Sequence, residues 1–88
     1  MRFEWDRYKA EANLETHGIA FEDAATAFGD PLSLTIADPD RSEEELRFVL
    51  VGLSASGRLL VVAHTYRGDT VRVISARAAS RRERRAYE

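Results

Sequence analysis

Six arginines crowd the last seventeen residues of the chain, RVISARAASRRERRAYE, at positions 72, 77, 81, 82, 84 and 85. A guanidinium offers a planar fork of donors that matches two oxygens of a phosphate or carboxylate, and it keeps its charge at any working pH. On a helix, Arg81 and Arg84 lie three apart and Arg81 and Arg85 four apart, so like charges meet. That is unfavourable unless an anion sits between them or the side chains splay into water, and Glu83 relieves only part of it. His64 stands near the end of an apolar run, and a histidine transfers protons near neutral pH. Tyr66 and Tyr87 are aromatic groups able to stack on unpaired bases. The plainer alternatives are a solvated helix face for Arg81–Arg85, a half-buried strand position for His64 and a helix end for His17.

These residue types suit a phosphodiester. Cleaving RNA without a metal requires a base for the 2′-hydroxyl proton, an acid for the leaving 5′ oxygen, and cations that stabilise the phosphorane-like transition state. Arginine meets the third need. His64, Glu83 or a tyrosine can meet the first two, and spacing alone does not rank them. Other chemistries lack their residues. The chain has no cysteine, its two histidines stand at 17 and 64, and Glu43-Glu44-Glu45 reads as a solvated loop. No dedicated metal site is expected. Neither G-x-x-x-x-G-K nor G-x-G-x-x-G occurs, so no nucleotide cradle and no cofactor is expected.

Elements must hold these groups in place. Arg2 to Trp5 alternates as a short strand, with Phe3 and Trp5 on one side. Asp6 is placed to cap a helix that stops at His17-Gly18. Phe21, Ala24, Ala25 and Phe28 form one apolar stripe, which predicts a second helix over 21–28 ended by Gly29-Asp30-Pro31. Strands are predicted over 32–36, 46–54, 59–66 and 71–77, with turns at 38–42, 55–57 and 67–69. Their connections are too short for crossover helices, so the last strands form an antiparallel meander. Strict alternation puts His64 with Leu60, Val62 and Tyr66, and Arg77 with Val71, Val73 and Ser75, leaving Arg72 on the other side. Ser80-Arg81-Arg82-Glu83 matches the S-x-x-E capping box, so a short helix follows and must dock on something. The expected fold is α+β, a small antiparallel sheet of about four to five strands flanked by helices, in the order β-α-α-β-β-β-β-α, as one domain over residues 1–88.

Charge is divided along the chain. Residues 1–46 carry four Lys/Arg against twelve Asp/Glu, and residues 47–88 carry nine against three, within a net charge of −2. Such asymmetry points to a polyanion or to an oppositely charged protein partner. The charged N-terminus lacks the apolar stretch of a secretory signal, and the longest apolar run, Leu59 to Ala63, is far too short to span a membrane. A cytoplasmic protein without a membrane partner is expected.

A set of motifs runs through the chain: FEWD at 3–6, NLETHG at 13–18, FEDAA at 21–25, FGDPL at 28–32, SGRLLVV at 56–62, HT at 64–65, and RVISARAASRRERR-x-Y from 72 to 87. In this order they resemble the BrnT family, the toxin half of type II toxin–antitoxin pairs. The resemblance implies a RelE-like fold, with a small antiparallel sheet flanked by helices. It implies RNA cleavage that inhibits translation. It also implies a BrnA-like antitoxin that wraps the toxin, contacts operator DNA through its own domain and assembles as two toxins with two antitoxins. The carry-over places catalysis on Arg77, Arg81, Glu83 and His64, and RNA binding on Lys9, Arg67, Arg72, Arg82, Arg85 and Tyr87. One departure is Ala20, which stands where a Ser or Thr often caps the second helix. The alternative functional reading is a non-catalytic module that binds nucleic acid or an antitoxin and serves as an operon corepressor.

Overall fold

The computed structural model describes residues 1–38 and 46–88. The turn expected at 38–42, apart from Asp38, and the acidic Glu43–Glu45 cluster lie outside the described residues. The chain runs through β1 (Arg2–Glu4), α1 (Arg7–His17), α2 (Phe21–Thr26) with a 3-10 turn at Ala27–Gly29, then β2 (Leu34–Ala37), β3 (Phe48–Leu53), β4 (Leu59–Arg67), β5 (Thr70–Ala78) and α3 (Arg81–Tyr87). This is the expected α+β order.

Local chemistry sets the boundaries. The Asp6 carboxylate accepts from the Tyr8 amide at 2.8 Å and from the Lys9 amide at 3.4 Å, occupying orphan donors at the start of α1. Gly18 ends α1 at φ 69°, a conformation that a Cβ would strain. Ala20 caps α2 with no side-chain hydrogen bond. That helix stays α-helical only to Thr26 and tightens into the 3-10 turn before Asp30. The Asp30 carboxylate then accepts from the Leu32 amide at 2.9 Å, so 31–32 turn rather than extend and β2 begins at Leu34.

The sheet has the order β1-β5-β4-β3-β2. Strands β2 to β5 are antiparallel neighbours, as expected, but β1 pairs parallel with β5. The sheet is therefore mixed. Alternation in Arg2–Trp5 fixes which residues face the core and carries no information on the partner a strand takes. Helices α1 and α2 cover one face. There Ile19, Phe21, Ala24, Leu60, Val62, Val73 and Ala76 form the buried core, with Phe3, Trp5, Ala10 and Phe28 packed against it. Complete burial of Phe21, Leu60 or Val62 contributes about 1.5–3 kcal/mol each.

One irregularity redirects β5. The β4–β5 register passes from Ala63–Ser75 to His64–Val73, so Ile74 is an extra residue on β5. Such a bulge shifts side-chain parity by one. Val71, Val73 and Ala76 consequently all face the core, although 73 and 76 differ in parity. Arg77, opposite Val61, lies on the other face with Ser75 and Arg72. Counting by twos placed Arg77 with Val71 and Val73 and set Arg72 apart. The bulge corrects that assignment.

Candidate functional site

The second face of the sheet, opposite α1 and α2, carries the arginine chemistry. Arg77 reaches this face from β5 just beyond the bulge. Its guanidinium donates to both oxygens of Glu83, Nη1 to Oε1 at 2.8 Å and Nη2 to Oε2 at 2.7 Å, and Nη1 also reaches the Ala78 carbonyl at 3.3 Å. The side chains are 45% and 28% exposed. Glu83 is held from behind by the helix start: the Ser80 amide donates to Oε1 at 2.8 Å, and the Ser80 hydroxyl accepts from the Glu83 amide at 3.2 Å. This is the capping box expected from the sequence. The fork of Arg77, with help from Ser80, pushes the Glu83 carboxyl down to about 2. Glu83 in turn raises Arg77 above its ordinary value. While paired, Glu83 is a weak base that orients Arg77.

The rest of α3 is divided by its turn. Glu83 and Tyr87 are half-buried toward the sheet, and Arg81, Arg82, Arg84, Arg85 and Ala86 are exposed. The far end of the helix is tied by the Tyr87 hydroxyl, which donates to Asp30 at 2.5 Å. Asp30 also accepts from the Leu53 amide at 2.8 Å, which fastens α3 to the end of β3. These bonds, Tyr87 first, hold Asp30 below the usual carboxylate range and raise the Tyr87 phenol. A role for Tyr87 in stacking on a base competes with this latch.

The structure brings together Arg77 and Glu83 with Arg81, Arg82, Arg84 and Arg85. It separates the other sequence candidates from them. His64 is fully buried on the helix-covered face, boxed by Phe28 at 4.7 Å, Tyr66 at 5.3 Å and Phe48 at 6.0 Å between ring centroids. Its Nδ1 lies 3.1 Å from the Val62 carbonyl, which can only accept, so Nδ1 carries the hydrogen. Nε2 then presents a buried lone pair with no partner among the described residues. Burial lowers the His64 pKa. The sheet itself stands between this imidazole and Arg77, so the expected grouping of His64 with the arginines is corrected. Arg72 donates to Glu4 at 2.8 Å, and Arg67 lies 3.8 Å from the same oxygen. Both tie β1 to the sheet, and Arg72 lies five residue steps along β5 from Arg77, roughly 16 Å. Lys9 sits on α1 beside the bulged Ile74, at a groove lined also by Asn13 and His17.

Two residues that position the site were not singled out from composition or spacing. Asn13 is buried in α1. Its carboxamide donates to the Ala76 carbonyl at 2.8 Å and the Ile19 carbonyl at 3.0 Å, and accepts from the Ala76 amide at 3.1 Å. It stands in for a neighbouring strand beyond the end of β1 and clamps β5 one residue before Arg77. Asp30 is the second, as the anchor of α3. The available signals were an asparagine inside a helix, where it is a poor helix former, and an aspartate followed by proline. Among the described residues, no group of three His, Cys, Asp or Glu side chains converges where it could hold a metal.

Comparison with known proteins adds to this geometry. A family model described as the ribonuclease toxin BrnT of type II toxin–antitoxin systems matches residues 5–83. Among solved structures, the 1.1 Å crystal structure of the Brucella abortus ribonuclease toxin BrnT superposes with a TM-score of 0.66. The two share 24% identity over 92% of this chain and 99% of that one, a likeness of fold. No curated protein matches the sequence.

Proposed function

The chain belongs to the BrnT family of ribonuclease toxins of type II toxin–antitoxin systems, and from that premise we propose that it is a metal-independent endoribonuclease acting through the open face of its sheet. The observation that carries this reading is the bidentate Arg77–Glu83 pair set among four exposed arginines of α3. An RNA phosphate offers Arg77 the same two-oxygen geometry that Glu83 occupies. When the phosphate takes the fork, Glu83 loses the Arg77 donors, the largest cause of its lowered pKa, keeps the Ser80 amide, and becomes a stronger base, placed to accept the 2′-hydroxyl proton. The 2′ oxygen bonds to phosphorus, the bond to the 5′ oxygen breaks, and Arg77 with Arg81 stabilises the charge on the non-bridging oxygens. A protonated group or water supplies the proton to the departing 5′ oxygen. Arg82, Arg84 and Arg85 hold the flanking backbone. His64, Lys9, Arg67 and Arg72 lie outside this reacting group.

In this reading, RNA cleavage inhibits translation. A BrnA-like antitoxin neutralises the toxin by covering the arginines, two toxins assemble with two antitoxins, and operator DNA is met only through the antitoxin. The test is cleavage of labelled RNA by purified protein, wild type beside Arg77→Ala, with EDTA, and with and without ribosomes. Wild type is expected to cut in EDTA and a folded Arg77→Ala protein is expected not to. Cleavage surviving in that variant removes Arg77 from the mechanism. A second reading, a non-catalytic corepressor, is favoured by one observation: Glu83 already fills the fork of Arg77, and His64 is on the other face. Its signature is salt-sensitive RNA binding with the RNA intact afterwards.

A further inference from the structure

Among the described residues, the edge of the sheet beside α3 is left open. Strand β2 ends the sheet, pairs only with β3 among the described residues, and has all four of its residues exposed. Two of them are large aliphatics, Leu34 at 47% and Ile36 at 65% exposure. Register puts Leu34 beside Val51 and Ile36 beside Val49, so these four share one face. With Glu83 and Ala86 of α3 they line a groove of about 230 Å³. Leu32, Leu46 and Leu53, at the ends of β2 and β3, are exposed as well. Strand β2 is short, at four residues, but an exposed apolar edge is still a template for another chain, and folded proteins normally cover or charge it. Here no charged side chain interrupts Leu34-Thr35-Ile36-Ala37.

The wall of this groove says what chemistry fits it. Helix α3 presents Glu83 and Ala86 inward and four arginines on its other sides. A chain lying in the groove meets aliphatic groups below and positive charge above. We infer that β2 and the groove beneath α3 receive an extended segment of the antitoxin that alternates apolar and acidic side chains, adding a strand to the sheet. Its apolar residues fill the space over Leu34, Ile36, Val49 and Val51. Its carboxylates meet the arginines of α3 and compete with Glu83 for Arg77. Main-chain bonds supply affinity and the alternate side chains supply selectivity. Because Glu83 lines the groove and holds Arg77, an occupant of the groove also closes the site proposed for RNA. Neutralisation and docking are then one event. RNA itself is a poor occupant, since the groove is aliphatic and offers no aromatic ring for a base.

This inference rests on the toxin–antitoxin reading, and the experiment separates the two. The full-length protein is tested with the full-length antitoxin encoded beside it, as wild type, Ile36→Lys and Ile36→Val. Ile36 is exposed and outside the proposed RNA site, so the variants are expected to fold and to cut RNA as wild type does. Ile36→Lys is expected to weaken antitoxin binding about thirtyfold or more, the size of an interface hot spot. Ile36→Val is expected to bind like wild type. Hydrogen exchange of the 34–37 amides is expected to slow in the complex. Unchanged antitoxin affinity for Ile36→Lys, with wild type binding tightly, overturns the docking site and leaves the family reading intact. Failure of wild type to bind the antitoxin at all overturns the partner reading, and the inference with it. Two other results also overturn the inference: a free wild-type dimer that Ile36→Lys dissolves without affecting antitoxin binding, which assigns the edge to a second copy, and loss of RNA binding in Ile36→Lys, which assigns it to RNA.

Discussion

The buried imidazole of His64 makes the stability of this protein depend on pH in a calculable way. In the folded chain it is fully buried among Phe28, Phe48 and Tyr66, with Nε2 unpartnered among the described residues, and burial holds its pKa below the ordinary 6.5. In the unfolded chain the same group titrates near 6.5. Between these two values the unfolded chain binds a proton that the folded one refuses. Stability is therefore full above pH 6.5 and falls as the pH drops from 6.5 toward the folded pKa. The ceiling is about 1.4 kcal/mol per pH unit, or about 2 kcal/mol between pH 7.5 and pH 5.0. A domain of this size is stable by roughly 4–13 kcal/mol, so the loss is readily measured. Glu83 titrates in a separate window, from its ordinary 4.5 down to about 2, and leaves the range above pH 5 to the histidine. The assay is urea unfolding followed by circular dichroism at pH 7.5, 6.0 and 5.0, on wild type and His64→Leu. Leucine fills a similar volume and removes the stranded lone pair, so the variant is expected to match wild type at pH 7.5 and to lose most of the slope. RNA cleavage by His64→Leu is expected to continue. An equal slope in both proteins, or a wild type as stable at pH 5.0 as at 7.5, refutes the reasoning about the imidazole. Loss of cleavage in a folded His64→Leu protein refutes its separation from the chemistry.

Asn13→Leu leaves the amide and carbonyl of Ala76 and the carbonyl of Ile19 without their partner, and is expected to cost about 3–5 kcal/mol in urea unfolding. Asn13→Asp turns a carboxylate toward two carbonyls, so its deficit is expected to shrink as the pH falls and the acid regains a donor, read from the midpoint of denaturation against pH. Glu83→Gln loses the charge that orients Arg77 and weakens the capping box; after screening by solvent it is expected to cost about 1 kcal/mol and to slow RNA cleavage while RNA binding persists. Tyr87→Phe releases the end of α3 from Asp30, and faster trypsin cleavage after Arg84 and Arg85 is the expected readout.

Much of the fold is legible because its elements carry local signals. Asp6, Gly18 and Ser80-x-x-Glu83 mark helix ends through their own hydrogen bonds or backbone conformation, and the apolar runs of β3 to β5 mark strands. The arginine cluster is legible for the same reason: one strand end and one short helix, adjacent in the chain, carry it. The facing of Arg77 is not legible. Nothing in Val73-Ile74-Ser75 announces a bulge, and one extra residue reverses every parity beyond it. The parallel pairing of β1 is equally silent, since alternation is the same for either direction. Asn13 acts on Ala76 across 63 positions, a distance over which no local pattern speaks. Asp30 acts on Tyr87 across 57.

The bulge at Ile74 also explains why stability and proposed activity are assigned to different faces of one sheet. Without it, position 77 falls on the core face, where an arginine buried beside Leu60 and Val62 costs several kcal/mol. With it, Ala76 fills that place at 0% exposure and the guanidinium emerges beside α3. Asn13 holds both the amide and the carbonyl of Ala76, so the clamp acts on the residue that fixes the new parity. Substitutions divide accordingly. Changes to Arg77 or Glu83 alter groups at the surface and are expected to move activity more than stability. Changes to Asn13 act through the position of β5 and are expected to move both. An Asn13 variant stabilised by a low temperature or an osmolyte until it is fully folded is the discriminating case. Wild-type cleavage in that state means that the core alone sets the bulge, and reduced cleavage means that the Asn13 carboxamide aims Arg77.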